Sequence, residues 1–313
     1  MKRTEILNTT ESILEKAGFQ LSRRCTSRPS CFDFAAQKNE KLAFMKVYAN
    51  IGNVFAKDAS ELQTISECFS ATPLIIGEKT RRKPLEDDTV YSRYNIYAIN
   101  SKTLEDMVLH GMHPLVEAGH GGYYIKLDGN LIRKRRQELG LSVGKMAEMM
   151  GISRRTLYGY ERGMAKALVS ATYKLEWVLG VPVVQFIDVF QPTPPSTGFF
   201  AKAKRIIVKH RFLQTVLRKF AQLDFRVAHT YRAPFDFIAQ CSEKNLKIIG
   251  GVADKKERNV DQRTEEIISV GKVINAQPVF ITDGKKIPNN NISLIHHEDL
   301  VKMRFPEEFI AQL

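Results

Sequence analysis

Between residues 129 and 163, hydrophobic positions recur with the period of an α-helix in three short stretches, each followed by a glycine. The recurring apolar positions are Leu131, Ile132 and Leu139, then Met146, Ala147 and Met150, and finally Ile152, Leu157 and Tyr160. Gly140 and Gly151 are placed to end the first two helices, because glycine readily takes the left-handed conformation found there. Ser142 and Ser153 are placed to cap the next two helices with their hydroxyls. The pattern therefore predicts three helices joined by tight turns.

The third predicted helix, at about residues 153–162, begins with two arginines on the side away from its apolar positions. In a pair of helices of this kind, the first residues of the second helix reach base edges and phosphates in the major groove of DNA. Arginine can form two parallel hydrogen bonds with guanine, and its charge releases counterions from phosphates. The predicted DNA-contacting residues are Ser142, Lys145, Ser153, Arg154, Arg155, Thr156, Tyr158, Gly159 and Arg162.

This segment resembles the Cro/CI-type, or Xre, helix-turn-helix family. The matching residues are Arg136, Gly140-Leu141-Ser142, Met146-Ala147, Gly151-Ile152-Ser153-Arg154-Arg155-Thr156-Leu157 and Tyr160-Glu161-Arg162-Gly163. The resemblance implies a structural ion pair between Arg136 and Glu161. It also implies two further helices, at about 169–179 and 182–190, that complete a five-helix module. Val143 and Gly144 stand where the family often has glutamine and glutamate, which removes one usual phosphate contact.

Two similar blocks lie on either side of this segment, which indicates an internal duplication. The first block reads RPSCFDFAAQKNEKLAFMKVYA over residues 28–49, and the second reads YRAPFDFIAQCSEKNLKIIGGVA over residues 231–253. Each contains Phe-Asp-Phe, two variable positions, a glutamine, a polar turn and an apolar strand. A helix is predicted before each block, a second helix after it, and then a further strand, so that each flank has an α/β layout. The preceding helices are at about 3–17 and 202–222, and the later strands are at 73–76 and 278–281.

This order of helix, three strands, helix and strand resembles the restriction-endonuclease-like fold. Asp33 and Asp236 occupy the position of that family's first aspartate, and Lys46 matches its lysine, but Phe44 stands at the second acid. In the second block, Ile248 stands at the position of the second acid and Gly250 at that of the lysine. Two carboxylates are needed to hold the metal ion that activates water. The resemblance therefore implies degenerate nuclease folds that act as a scaffold, with no catalytic residues, no metal and no enzyme activity. A plain structural role for either aspartate is to accept hydrogen bonds from backbone donors.

The stretches between these segments set the expected domain boundaries. AGHGGYYIKLDG, at 118–129, predicts a glycine-rich turn and a short strand, and QPTPPSTG, at 191–198, predicts a linker because three prolines stiffen it. We expect a multidomain α+β protein, with an α/β domain over 1–125 and a helix-turn-helix domain over 126–190. A linker over 191–198 and a second α/β domain over 199–313 follow. Residues 199–219 contain seven lysines and arginines and no acid, which indicates a helix with a basic face that either contacts DNA or is only solvated.

The composition indicates the chemical class of a binding partner but does not identify one. The 313 residues carry 47 Lys and Arg against 34 Asp and Glu, a formal charge of +13, which favours a polyanionic partner. No apolar run reaches the length of a membrane span, and the first residues are typical of an amphipathic helix rather than a secretion signal, so we expect a cytoplasmic protein. Cys25, Cys31, Cys68 and Cys241 lack the paired spacing of a zinc site and are expected to be reduced thiols. No nucleotide-binding loop is present, and no cofactor is expected.

The whole pattern resembles a group of archaeal helix-turn-helix transcriptional regulators. That resemblance implies sequence-specific binding of double-stranded DNA, as a homodimer because one module contacts only a half-site. Two alternatives stay open from the sequence. In the first alternative, the chain is a metal-dependent nuclease directed by its central module. In the second, it is an adaptor whose α/β flanks bind a protein such as the transcription machinery.

Overall fold

The computed structural model describes residues 2–192, 211–241, 244, 246–253, 259–284 and 292–313. The chain divides into two compact units. The first unit comprises Met1–Ile13, Ala49–Gly52 and Ile76–Val189, and the second comprises Leu14–Tyr48, Asn53–Ile75 and Phe190–Leu313. The three-helix segment lies in the first unit, and most of both Phe-Asp-Phe blocks lies in the second. The domain boundaries expected from the sequence remain a prediction.

The described residues form the following α-helices and β-strands, in chain order. They are α1 (Arg3–Lys16), β1 (Gln20–Leu21), β2 (Phe34–Lys38), β3 (Lys41–Asn50), α2 (Ala56–Phe69), β4 (Thr72–Lys79), β5 (Thr89–Arg93), β6 (Ile96–Ile99), α3 (Ser101–His110), β7 (Val116–Gly119), β8 (Gly122–Leu127), α4 (Gly129–Glu138), α5 (Val143–Met150), α6 (Arg154–Glu161), β9 (Ala167–Leu168), α7 (Val169–Leu179), β10 (Val184–Gln185), α8 (Arg211–Gln222), β11 (Arg226–His229), β12 (Phe237–Cys241), β13 (Leu246–Ala253), α9 (Val260–Ile274), β14 (Gln277–Thr282), β15 (Ser293–His296), α10 (His297–Lys302) and α11 (Pro306–Ile310). No helix within these described ranges is long and apolar enough to cross a membrane.

In the first unit, helices α4 to α7 are built on a β-hairpin. Strands β7 and β8 pair in antiparallel fashion up to Gly119 and Gly122, and β8 also pairs with β9 and β10. Ile125 and Leu127 of β8 pack into a common core with the helices. The helical members of that core are Ile132, Met146, Ala147, Met150, Leu157, Tyr160, Leu175 and Leu179. The three helices expected from the sequence, the glycine-rich turn and the strand at its end are therefore confirmed.

Two details of the expected helical module are wrong. Leu139, expected among the buried apolar positions of the first helix, lies instead at the C-cap of α4 and is 42% exposed. The fifth helix, expected at 182–190, does not form. Val184 and Gln185 instead pair with Leu127 and Lys126 of β8. This stretch is rich in β-branched residues, which favour strands, and the open edge of β8 offers backbone partners.

The two flanks share one order of elements along the chain, α-β-β-β-α-β. Strands β1, β2 and β3 pair in antiparallel fashion, as do β11, β12 and β13. Strands β13, β14 and β15 then continue in parallel. The strands expected at 73–76 and 278–281 are confirmed as β4 and β14. The part of the helix expected before residue 211, with most of the predicted linker, lies outside the described residues.

Candidate functional sites

Helices α5 and α6 each begin at a serine cap, and a left-handed glycine separates them. Ser142 Oγ accepts a hydrogen bond from the Lys145 amide at 3.1 Å, and Ser153 Oγ accepts one from the Thr156 amide at 3.0 Å. Gly151, with φ of +69°, ends α5 between them. Each serine satisfies a backbone donor that the start of a helix leaves unpaired. The two helices are therefore held in a defined orientation by local chemistry.

Helix α6 has one buried face and one exposed face. Leu157 and Tyr160 are buried, whereas Arg154, Arg155 and Tyr158 are exposed. Thr156 and Gly159 lie at the border between the two faces and are half-buried. The guanidinium carbon of Arg162 lies 4.3 Å from the centre of the Tyr158 ring, within the range of a cation–π interaction. The exposed face therefore presents a guanidinium-rich start and an aromatic ring at its far end.

Arg154 lies against the start of α5, a contact that the sequence pattern did not indicate. A Cβ atom at Gly144 would lie 3.0 Å from both Nε and Nη2 of Arg154. A larger residue at 144 would therefore displace the guanidinium, and glycine leaves it room. The positive charge of Arg154 is added to the unpaired backbone amides at the start of α5, which themselves favour anions. Lys145 is exposed nearby, with its Nζ 3.2 Å from Glu148 Oε2.

Arg136 and Glu161 form a buried ion pair between α4 and the end of α6. The Nε–Oε1 distance is 2.5 Å and the Nη2–Oε2 distance is 3.2 Å, a two-point contact. Arg136 Nη1 also donates to the Leu141 carbonyl at 2.7 Å, at the turn that precedes α5. Because both residues are more than 90% buried, neither charge has water as an alternative partner. The pair ties the end of α6 to the first turn of the motif.

A second candidate site lies around Asp33, at the start of β2. Asp33 Oδ2 accepts a hydrogen bond from the Val47 amide at 2.7 Å, and Oδ1 lies 3.1 Å from Lys46 Nζ. Phe44, which stands where a nuclease would have its second acid, is completely buried. The aspartate and the lysine of the nuclease motif are therefore in contact, but the second carboxylate is absent from the strand.

The corresponding aspartate of the second block, Asp236, has the same backbone contact but different charged partners. Its Oδ2 accepts a hydrogen bond from the Val252 amide at 2.7 Å. Arg28 Nη1 lies 2.8 Å from its Oδ1, and Arg263 of α9 donates to its Oδ2. Burial alone would raise the pKa of the Asp236 carboxyl, but the two arginines hold it below its usual range. Asp236 is thus kept as a carboxylate whose charge is balanced from two sides.

These contacts correct the expected alignment of the second block. Val47 and Val252 make the same hydrogen bond, so the residues before them, Lys46 and Gly251, are equivalent. The lysine position therefore falls on Gly251 and the acid position on Ile249, not on Gly250 and Ile248. The β2–β3 ladder closes at Lys38 and Lys41 with two residues between them, whereas β12–β13 closes at Cys241 and Leu246 with four. The turn of the second block thus has two additional residues, which the alignment expected from the sequence did not fully include.

Two equivalent glutamates, each in the helix that follows a block, contact the loop before the other block's Phe-Asp-Phe. Glu61 of α2 accepts hydrogen bonds from the Tyr231 and Arg232 amides at 2.5 and 2.7 Å. Glu266 of α9 accepts them from the Thr26 and Ser27 amides, both at 2.8 Å. The two glutamates differ by 266 − 61 = 205 positions, as do the two valines above (252 − 47 = 205). Each copy therefore holds the loop that precedes the other copy's aspartate.

The residues at these aspartates do not fit a catalytic metal. The described part of the chain contains no cluster of three or more His, Cys, Asp or Glu side chains that could hold an ion. At Asp236, guanidinium groups occupy the positions from which a cation would neutralise the carboxylate. Cys25 and Cys31, near Asp33, are free thiols, and burial raises the pKa of both well above the usual value. They are therefore protonated at neutral pH and poor ligands.

Two capped helices at a fixed angle, with a basic exposed face on the second, define a helix-turn-helix protein. Comparison with known families agrees, since a family described as "Helix-turn-helix" matches residues 132–186. A second family, described as "PD-(D/E)XK superfamily domain", matches residues 3–114. No solved structure matches the chain.

Several archaeal proteins are similar along almost the whole length, and each carries the name "Putative HTH-type transcriptional regulatory protein". The protein of Methanosarcina acetivorans is 33% identical, with 99% of this chain and 96% of the relative covered. That of Methanocella arvoryzae is 34% identical, with 96% and 92% covered, and that of Thermococcus gammatolerans is 30% identical, with 99% and 96% covered. The chain belongs to this family of archaeal HTH-type transcriptional regulatory proteins.

Proposed function

We propose that the protein is a transcriptional regulator that binds double-stranded DNA at specific sequences, with α6 in the major groove. The observation that carries this proposal is the geometry of α6. Its start is capped by Ser153, its apolar residues are buried, and Arg154, Arg155 and Tyr158 face outward. A helix of this construction presents its first turns to base edges, where arginine distinguishes guanine by two hydrogen bonds.

The contacts divide into two kinds. Arg155 and Tyr158 are assigned to the base edges, with Thr156 and Gly159 beside them on the border of the exposed face. Arg154 is assigned to a phosphate, because it lies beside the start of α5, where Ser142 and Lys145 also stand. In this arrangement Arg154 supplies the phosphate contact that Val143 and Gly144 cannot make through side chains. Arg162, stacked on Tyr158, extends the same surface beyond the end of α6.

A single helix-turn-helix reads a half-site, so the proposal includes a homodimer on DNA. Two modules would then engage half-sites about 34–36 Å apart, one turn of the double helix. Light scattering of the protein with and without its DNA site measures the stoichiometry. It also shows whether the protein assembles only with itself or requires an additional protein partner.

The DNA-binding proposal is tested by selecting duplexes from a random library with the purified protein and measuring affinity for the selected site and a scrambled one. Arg154→Ala combined with Arg155→Ala should remove most of the preference, since one good arginine–base contact contributes about 1–3 kcal/mol, or up to about 150-fold. The matched control is Lys16→Ala combined with Lys57→Ala, which removes two exposed charges in the second unit. An unchanged preference in the arginine variant would contradict the assignment of α6.

The specific alternative is a nuclease, favoured by the PD-(D/E)XK match and by the contact between Asp33 and Lys46. We propose instead that both α/β flanks are copies of this fold without its chemistry, because the second acid is Phe44 in one and Ile249 in the other. Plasmid incubated with the protein and magnesium or manganese should stay intact. Cleavage that Asp33→Asn removes, in a protein that circular dichroism shows to be folded, would establish an enzyme.

A further inference from the structure

A short basic turn lies in the first unit, outside the helix-turn-helix. Arg81, Arg82 and Lys83 are consecutive and exposed, and we refer to them as the basic turn. The Thr80 amide donates to the Lys83 carbonyl at 2.8 Å, and Lys79 and Pro84 form a β-bridge that closes the loop. The backbone of the basic turn is therefore fixed by its own hydrogen bonds, so that its charges are presented in a defined place.

The basic turn is attached to the hairpin that carries the helix-turn-helix. Lys83 Nζ lies 6.0 Å from the centre of the Tyr123 ring, and the Tyr123 hydroxyl donates to Glu86 at 2.5 Å. Tyr123 belongs to β8, and side chains two residues apart on a strand share a face. Tyr123 is therefore on the same face as Ile125 and Leu127, which pack against α4 to α7. The basic turn lies on the helix side of the hairpin.

The chain that leaves α6 docks on the same hairpin. Ala167, six residues after the end of α6, pairs with Ile125 of β8, and Lys166 Nζ lies 2.5 Å from Glu117 of β7. Tyr123 is two residues from Ile125, or about 7 Å along the strand. One turn of DNA is about 34 Å long. The basic turn is thus anchored close enough to the end of α6 to lie beside the same turn of a DNA duplex.

Within the described part of the chain, neither arginine of the basic turn, Arg81 or Arg82, forms an ion pair with a carboxylate. The side-chain stem of Arg81 packs over Gly52, where a Cβ atom would lie 2.9 Å from Arg81 Cγ. This support orders the stem and lowers the entropy lost when the guanidinium binds. By contrast, the exposed Lys83, Lys102 and Lys145 all have an acidic neighbour on the surface.

We propose that Arg81 and Arg82 bind phosphates of the DNA backbone that flanks the site read by α6. This inference rests on the proposed function, and it assigns a DNA-binding role to a segment of the PD-(D/E)XK-like region. The contact is electrostatic and independent of base sequence. It therefore adds affinity and salt dependence without adding preference for one sequence over another.

The test compares Arg81→Ala/Arg82→Ala with the wild type and with Lys16→Ala/Lys57→Ala, using the selected duplex at 50 to 200 mM salt. Each lost phosphate contact lowers the slope of log affinity against log salt by about 0.9, so two lower it by about 1.8. Over this fourfold range in salt, the affinity of the variant should fall about 12-fold less than that of the wild type. The preference for selected over scrambled duplex should not change, and the lysine control should keep the wild-type slope.

A wild-type slope in the arginine variant would overturn this inference and leave the proposed function standing. A slope reduced equally in the lysine control would also overturn it, because the effect would then come from net charge alone. Failure of the wild-type protein to bind any duplex would overturn both the inference and the proposed function. Circular dichroism of each variant checks that the fold is retained, and the exposed positions make that the expected result.

Discussion

Replacing Glu161 with alanine tests whether the buried ion pair holds the helix-turn-helix together. Arg136, more than 90% buried in the wild type, would keep the Leu141 carbonyl as the one acceptor among the contacts described above. Removing one partner of a buried pair typically costs about 3–5 kcal/mol, because the remaining charge has lost its balance. We expect the lower end of this range, about 3 kcal/mol, because Arg136 keeps the Leu141 carbonyl as an acceptor. That corresponds to roughly a 150-fold change in a local opening equilibrium.

Native-state hydrogen exchange read by mass spectrometry measures this locally, which matters because a chain of two units has no single unfolding free energy. Amides of α4 and α6 should lose about two orders of magnitude of protection in the variant. The matched control is Glu138→Ala, which breaks the exposed pair with Arg135 at 3.0 Å and should cost under about 1 kcal/mol. Equal loss in the two variants would refute the role of burial. The double variant Arg136→Met/Glu161→Leu should recover most of the protection, since it removes both charges.

Four further substitutions probe the second unit. Asp236→Asn should flatten acid unfolding followed by circular dichroism. A carboxyl whose pKa is lowered in the folded state stabilises the fold at pH values above its unfolded pKa of about 3.9, and this contribution is lost as the pH falls through the folded pKa. Identical acid transitions in the variant and the wild type would contradict this. Gly251→Ala should lower the free energy of urea unfolding by about 1–3 kcal/mol, since its methyl would lie 2.5 Å from Phe280 Cε2. An unchanged urea midpoint would show that the Phe280 ring can move aside. Glu61→Ala and Glu266→Ala should each cost about 0.5–1.5 kcal/mol by removing hydrogen bonds to partly exposed loop amides, and exchange in the loops before β2 and β12 should rise. Unaltered exchange there would mean that the glutamates do not hold these loops.

The helix-turn-helix could be predicted from the sequence because its signals are local. Ser142 and Ser153 cap helices within three residues of themselves, and Gly151 ends a helix by its own conformation. The expected fifth helix failed for the opposite reason. Val184 forms a strand because an edge of β8 is available, and that edge is more than fifty residues earlier in the chain. A helical period read from one segment carries no information about such a partner.

Contacts between distant segments were beyond prediction for the same reason. The approach of Arg154 to Gly144 depends on the angle between two helices, which neither helix alone specifies. The neutralisation of Asp236 depends on Arg28, which is 208 residues away. The repeat in the sequence pointed to two related flanks, but not to their mutual contact. Only the structure shows that most of both Phe-Asp-Phe blocks lies in one compact unit, and that Arg28 of the first block balances the charge of Asp236 in the second.

The two aspartates are balanced by cations from different parts of the chain. At Asp33 the cation is Lys46, on the neighbouring strand, as in the nuclease motif. At Asp236 the equivalent residue is Gly251, and the space a side chain would need is filled by Phe280, so a lysine there cannot be restored by substitution alone. The balancing charge comes instead from Arg263 and from Arg28 of the other block. The same arginine contact that makes Asp236 unsuitable for a metal also joins the second block to Arg28 of the first.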